Sequence, residues 1–354
     1  MIRVALLRNG PVEQGGAELI ETWSPGGGAR LWVDIEGESE AAVEPLLEQR
    51  FRFHELAAED SFSPSTLPKH DPFADYDFFV FRSLNLNVIE HGVATTKLAV
   101  FLGPDYLFTV HPEPLVSVDA VWQRLPQDRR MLEQGADFLL HEILDNLVDL
   151  HFPLIEEIER MVDEIQELTF KSAHQQLLDE LLKIKKDLNT LRRYSLPQRD
   201  LFNQISRGSA KFVQQQHLIY FRDLYDHMYR ISESIDVERD LVAASMDAYL
   251  SVAANRLNEI VKVLTVFSAI LLPLNTIAAI YGMNFEHMPE IEWRWGYAWA
   301  LGLMVVVAIG LLAVFTARGW IWSRRDIRRM RRHSYKAITW PVRLVRVAAK
   351  RAVK

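Results

Sequence analysis

The stretch VLTVFSAILLPLNTIAAIYGMNF, from Val263 to Phe285, contains no charged residue, and neither does WGYAWALGLMVVVAIGLLAVFTA, from Trp295 to Ala317. About 20 apolar residues in a helix cross the ~30 Å hydrocarbon core of a bilayer. Two such runs back to back, with Trp and Tyr near their ends, predict two transmembrane helices rather than buried core helices. The link between them, Glu286 to Arg294, carries three acids and one arginine. After the second run the chain turns strongly basic. From Arg318 to Lys354 there are thirteen Lys and Arg against Asp326 alone, a balance of +12, so the net charge of -7 leaves -19 on the first 317 residues. The positive-inside rule places the basic tail in the cytoplasm and the acidic link outside. With two spans, the N-terminal part is cytoplasmic as well. The first ten residues hold only a short apolar run, Val4 to Leu7, with no cleavage pattern behind it, which agrees with that topology. The location expected is the plasma (inner) membrane. There is no cysteine, which excludes disulfides and thiolate metal sites.

Upstream of the spans the pattern changes twice. Residues 1–135 read as an α+β cytoplasmic domain. Arg30–Ile35, Asp77–Arg82 and Leu84–Val88 alternate like half-buried strands. Lys97–Leu102 and Tyr106–Val110 flank a Gly103-Pro104-Asp105 turn, as in a hairpin. From Asp137 to Leu168 apolar residues recur at three- and four-residue steps and predict one long amphipathic helix. A second helix is expected from about His174 to Ser206. A third begins near His217 and meets no Gly or Pro until Pro273, so it runs on into the first span. Some 60 residues at 1.5 Å each make a helix of roughly 90 Å, a stalk rather than a core element. The organisation is then a cytoplasmic α/β domain (1–135), long helices and stalk (136–258), a first transmembrane helix (259–285), an external loop (286–294), a second transmembrane helix (295–317) and a basic cytoplasmic tail (318–354).

Two helices cannot enclose a water-filled path, so transport needs several copies around an axis. Stepping back from Gly282 at helical spacing gives Ala279, Asn275, Leu272, Ser268, Leu264, Val261 and Asn258, a stripe with many small or polar members. Lining a pore and close helix packing both explain small residues there. Asn275 at membrane depth is the hardest to explain by packing. Neither span holds a carboxylate, and neutral amide and carbonyl oxygens suit an ion that keeps its waters, as Mg²⁺ does.

Tyr281-Gly282-Met283-Asn284-Phe285 with Met288-Pro289-Glu290 resembles the signature of the CorA family of magnesium and cobalt transporters, in which Gly-Met-Asn closes the first membrane helix. Leu257 to Val266, and Tyr220 to His227 in the stalk, are similar to the same family. The resemblance implies a funnel-shaped homopentamer whose ligands are hydrated divalent cations and whose surroundings are membrane lipid. It implies an outer selectivity ring from Gly282 and Asn284, with Met283 in a packing role. The family's pore positions fall on Asn258, Val261, Leu264, Leu272 and Asn275. The family often has Met near Val261 and Leu272, and Thr at Asn275, so the inner ion site is expected to differ in geometry. It further implies regulatory Mg²⁺ held by Asp223, with Asp149 a second match on the neighbouring helix; a solvated helix face explains either alone. Mg²⁺ is thus expected both as the transported ion and as regulator, with no organic cofactor. His141, Asp145, Asp149 and His151 also invite a metal reading, although His151 falls off the face shared by His141 and Asp145. In the tail, Ile338 to Val353 mixes apolar and basic residues and suits anionic headgroups better than nucleic acid. Two rivals stand: a zinc transporter of the ZntB type, against which Met283 argues, and a non-conducting membrane-tethered sensor. No nucleophile motif, phosphate loop or His-Glu-x-x-His points to an enzyme.

Overall fold

The computed structural model describes residues 1–8, 10–85, 92–171, 174–283 and 293–320. The chain divides into two units, Met1–Tyr249 and Leu250–Lys354.

The first unit is built on a seven-stranded sheet: β1 (Ile2–Leu7), β2 (Glu13–Gly15), β3 (Arg30–Glu36), β4 (Lys69–Pro72), β5 (Asp77–Leu84), β6 (Thr95–Leu102) and β7 (Tyr106–His111), in the spatial order β2-β1-β3-β7-β6-β5-β4. The β3–β7 pair is parallel and the other neighbours are antiparallel. The turn at Gly103 closes as expected, with Gly103 N–H donating to Tyr106 O at 2.9 Å. The strands differ from expectation in one respect. Every residue of β5 is buried, as are Leu31 to Ile35 of β3, so these are not half-buried strands. Helices cover both faces, and both sides of the pleat are therefore apolar. Trp32, Phe79, Phe81 and Val100 point to one face, where α4 (Val116–Arg124) and α6 (Ala136–Asp149) pack. Leu31, Val33, Phe78 and Phe101 point to the other, under α1 (Glu18–Glu21), α2 (Glu40–Glu44) and α3 (Glu55–Phe62). Several buried polar strand residues are satisfied internally, although the Ser83 hydroxyl of β5 has no partner. Asp34 accepts from Thr109 Oγ1 at 2.6 Å and Arg3 Nε at 2.9 Å, and Arg82 donates to the carbonyls of Pro64 and Thr66. Of the strand expected over Leu84–Val88, Leu84 ends β5, and 86–88 lie outside the described residues.

The long helix expected over 137–168 is two helices, α6 and α7 (His151–Lys171), with α5 (Arg130–Glu133) short before them. Pro153 has no N–H for the carbonyl of Asp149. His151 Nδ1 instead lies 3.2 Å from the carbonyls of both Leu147 and Val148, at the end of α6. Helix α8 (Gln175–Ser206) and the 64-residue helix α9 (Leu218–Tyr281) follow. One apolar core runs from the sheet through α6, α7, α8 and the first part of α9.

The second unit holds the remainder of α9 and α10 (Gly296–Ala317), each long and apolar enough to cross a membrane. On α10 the partly or fully buried positions are Gly296, Ala300, Met304, Val307, Ala308, Leu311 and Phe315. On α9 they include Val266, Ala269, Ile270, Pro273 and Ile277. Both sets repeat every three or four residues, so each helix turns one stripe toward its neighbour. Lys262 Nζ donates to Gly319 O at 3.1 Å at the end of this contact.

Candidate functional site

Packing of α10 on one side of α9 leaves the other side free. Asn258, Val261, Leu264, Leu272 and Asn275 are all exposed on the single chain, Leu272 to 68%. At 100° per residue Val261, Leu264, Leu272 and Asn275 lie about 120–180° around the helix from Val266, Ile270 and Ile277, and Asn258 about 80–120°. The hydroxyls of Thr265 and Thr276 donate to their own helix, to Val261 O at 2.8 Å and Leu272 O at 2.9 Å. The amides of Asn258 and Asn275 have no such partner among the described residues. In hydrocarbon an unsatisfied amide is costly. Water, an ion or another copy of the chain is what this face can accept.

Helix α9 closes at Tyr281. Gly282 N–H donates to Ala278 O at 3.0 Å, and Met283 N–H to Ile280 O at 3.3 Å. A Cβ on Gly282 would stand 3.3 Å from Ala278 O, so the last turn is tight. Asn284, the expected third member of the ring, lies outside the described residues, as does most of the link 286–294.

A second constellation lies in the first unit, where α6 packs beside α9. Ligand atoms of Asp145, Asp149 and His227 all fall within 4.8 Å of one another. Asp223, one turn before His227, has Oδ2 3.7 Å from His227 Nε2. The ring edge of His227 meets Phe152, with centroids 5.6 Å apart at 81°. Its Nδ1 is buried without a hydrogen-bond partner. The Asp145 carboxyl is raised above its ordinary pKa by burial and by Asp223, against the pull of His227 and Arg124. Asp149 is raised by burial, Asp145 and Asp223, with His227 opposing. Facing acids held above their ordinary pKa, together with an orphaned imidazole nitrogen, fit a divalent cation. Asp145, Asp149 and His227 would hold it, with Asp223 at the edge, and the ion would supply the positive charge these carboxyls lack.

Of the sequence-predicted metal residues, Asp145, Asp149 and Asp223 come together here. His141 and His151 do not. His141 is buried between Phe138 and Tyr220, and burial pushes its pKa down to about 4. His151 is fully enclosed, likewise pushed down to about 4, and serves the end of α6. His227 was not among the predicted ligands. Its signal was the Asp223-x-x-x-His227 step, which places two ligands on one helix face.

A family model described as CorA-like Mg2+ transporter protein matches residues 28–325. The chain belongs to this family. Over 292 residues it is 36% identical to YfjQ of Bacillus subtilis, covering 82% of this chain and 90% of that one. Over 291 residues it is 31% identical to the cobalt/magnesium transport protein CorA of Thermotoga maritima, covering 82% and 83%. The complete structure of the CorA magnesium transporter of Methanocaldococcus jannaschii superposes with a TM-score of 0.79 at 18% identity, over 91% of this chain and 99% of that one. CorA-like transporters carry two C-terminal membrane-spanning helices, and α9 and α10 supply them here.

Proposed function

We propose that five copies of this chain surround a pore through which hydrated Mg²⁺ passes, with Co²⁺ and Ni²⁺ as further cargo, and that cytoplasmic Mg²⁺ closes it. The observation that carries the proposal is the exposed face of α9, where Asn275 presents an unpartnered amide on the side away from α10 and Asn258 a second one further down the helix. A ring of such amides accepts the water shell of an ion without demanding that it be shed. Gly282, Met283 and Asn284 close the outer end, where Asn284 amide oxygens meet the incoming ion. The N- and C-termini are cytoplasmic in this reading, which the basic tail supports. Asp145, Asp149, His227 and Asp223 form the regulatory site. An ion there offsets the repulsion of the carboxylates and favours the packed, closed arrangement; its loss weakens that arrangement. No catalytic role is assigned to any residue.

Ion entry into proteoliposomes tests this reading. With a Mg²⁺ dye inside, the wild type gives a signal without a proton gradient and Asn284→Ala abolishes it. Zn²⁺ entry that requires a pH gradient, with no Mg²⁺ signal, establishes a zinc carrier instead. Silence for every ion from a folded oligomer leaves a tethered sensor.

A further inference from the structure

The donor set at Asp145, Asp149 and His227 also bears on which ion regulates the protein, a question that rests on reading this cluster as the regulatory site. Asp145 and Asp149 stand one turn apart on α6, and His227 comes to them from α9. Their ligand atoms fall within 4.8 Å of one another. Donors around one ion bonded at about 2.1 Å stand roughly 3–4 Å apart, so small side-chain rotations close the set. Arg124, whose charge reaches Asp145, is bonded to Glu142 at 2.6 Å and does not take the ion's place. The ring of His227 is braced edge-on against Phe152, and its Nδ1 is buried without a hydrogen-bond partner.

An imidazole changes which ion such a set prefers. Mg²⁺ takes oxygen ligands and gives up its waters reluctantly. Two carboxylates with one imidazole suit borderline first-row ions, and at such sites affinity rises from Mn²⁺ through Co²⁺ to Ni²⁺. The spans offer nothing of this kind. Neither holds a histidine or a carboxylate, and the exposed face of α9 presents amides among small and apolar side chains. An ion met there through its water shell is read by charge and size, not by its affinity for nitrogen. We propose that His227 makes the regulatory site prefer Co²⁺ and Ni²⁺ to Mg²⁺, so that these two ions close the pore at lower concentrations than Mg²⁺ does. Discrimination among divalent cations then lies in the regulatory site of the first unit rather than in the spans.

Isothermal titration calorimetry of the full-length protein in detergent, with Co²⁺ and separately with Mg²⁺, reads the affinities, and loss in D145N/D149N marks the ion that belongs to this site. In the wild type that ion is expected to bind at least about tenfold more tightly as Co²⁺ than as Mg²⁺. In H227N the ratio falls toward one, because Co²⁺ loses its nitrogen ligand while the carboxylates still hold Mg²⁺. Electron spin-echo spectra of Mn²⁺ bound to the wild type need no folded variant, and a nitrogen coupling is expected in them. Equal affinities in the wild type, a ratio unchanged in H227N, or Mn²⁺ without a nitrogen coupling overturns the preference and leaves the regulatory site standing. An ion count that D145N/D149N does not lower overturns the site itself, and the preference with it.

Discussion

At the scale of single residues, the cluster on α6 and α9 makes two predictions. The first concerns ions. Mg²⁺ or Co²⁺ that binds the folded protein raises its melting temperature, and at 100 times Kd the stabilisation is about 2.7 kcal/mol. In D145N/D149N this rise is largely lost, as thermal unfolding in detergent with and without the ion will show. The sign with pH follows from the raised carboxyls. Without metal, their contribution to stability is present at low pH and is lost as pH rises through their folded values. The second prediction concerns acid. His141 and His151, pushed down to about 4, are neutral in the folded protein and take up a proton more readily when unfolded. Melting temperature therefore falls as pH drops from about 6.5 toward 4. H141Q makes that fall shallower; an unchanged slope contradicts the assignment. In the sequence Asp145 drew notice one turn from His141, and Asp149 as a match to the family's regulatory acids. His227 was not legible as their neighbour, because nothing local says that α9 packs on α6.

The elements divide by how local their causes are. The two spans stand out because charge is absent from them, and the Gly103 turn because few residues tolerate it. The break between α6 and α7 escaped the apolar pattern, which continues across it; Pro153 and the bonds of His151 are what divide the helix. Strands β2 and β4 are short and largely polar edges, and no apolar alternation marks them. Helix pairing in the second unit follows from the stripes that the two helices turn to each other. Ala300 is 7% exposed in the stripe that α10 turns to α9, whereas Ile309 is 61% exposed. Ala300→Leu is expected to cost about 1–3 kcal/mol through overpacking. Ile309→Leu is expected to change little. Unfolding in detergent distinguishes the two, and equal effects contradict the pairing described.

For the whole molecule, the two spans were legible from the missing charge, and the signature after α9 pointed to the family. The order of strands in the sheet was not legible. The parallel pairing of β3 with β7 joins segments far apart in the chain, and their apolar patterns fit several orders equally well. The assembly is a question of the same scale, since the exposed face of α9 has no partner among the described residues. Cross-linking of the purified protein should end at five copies, and a ladder that ends at two contradicts the pore. The central claim, that ions pass along this face, is tested most directly at Asn275, which is exposed and can be replaced without disturbing the contact with α10. Mg²⁺ entry into proteoliposomes should fall at least about tenfold in Asn275→Leu, a barrier increase of about 1.4 kcal/mol, while oligomeric state and melting temperature hold. Mg²⁺ entry at the wild-type rate through a pore lined by five leucines would contradict the account.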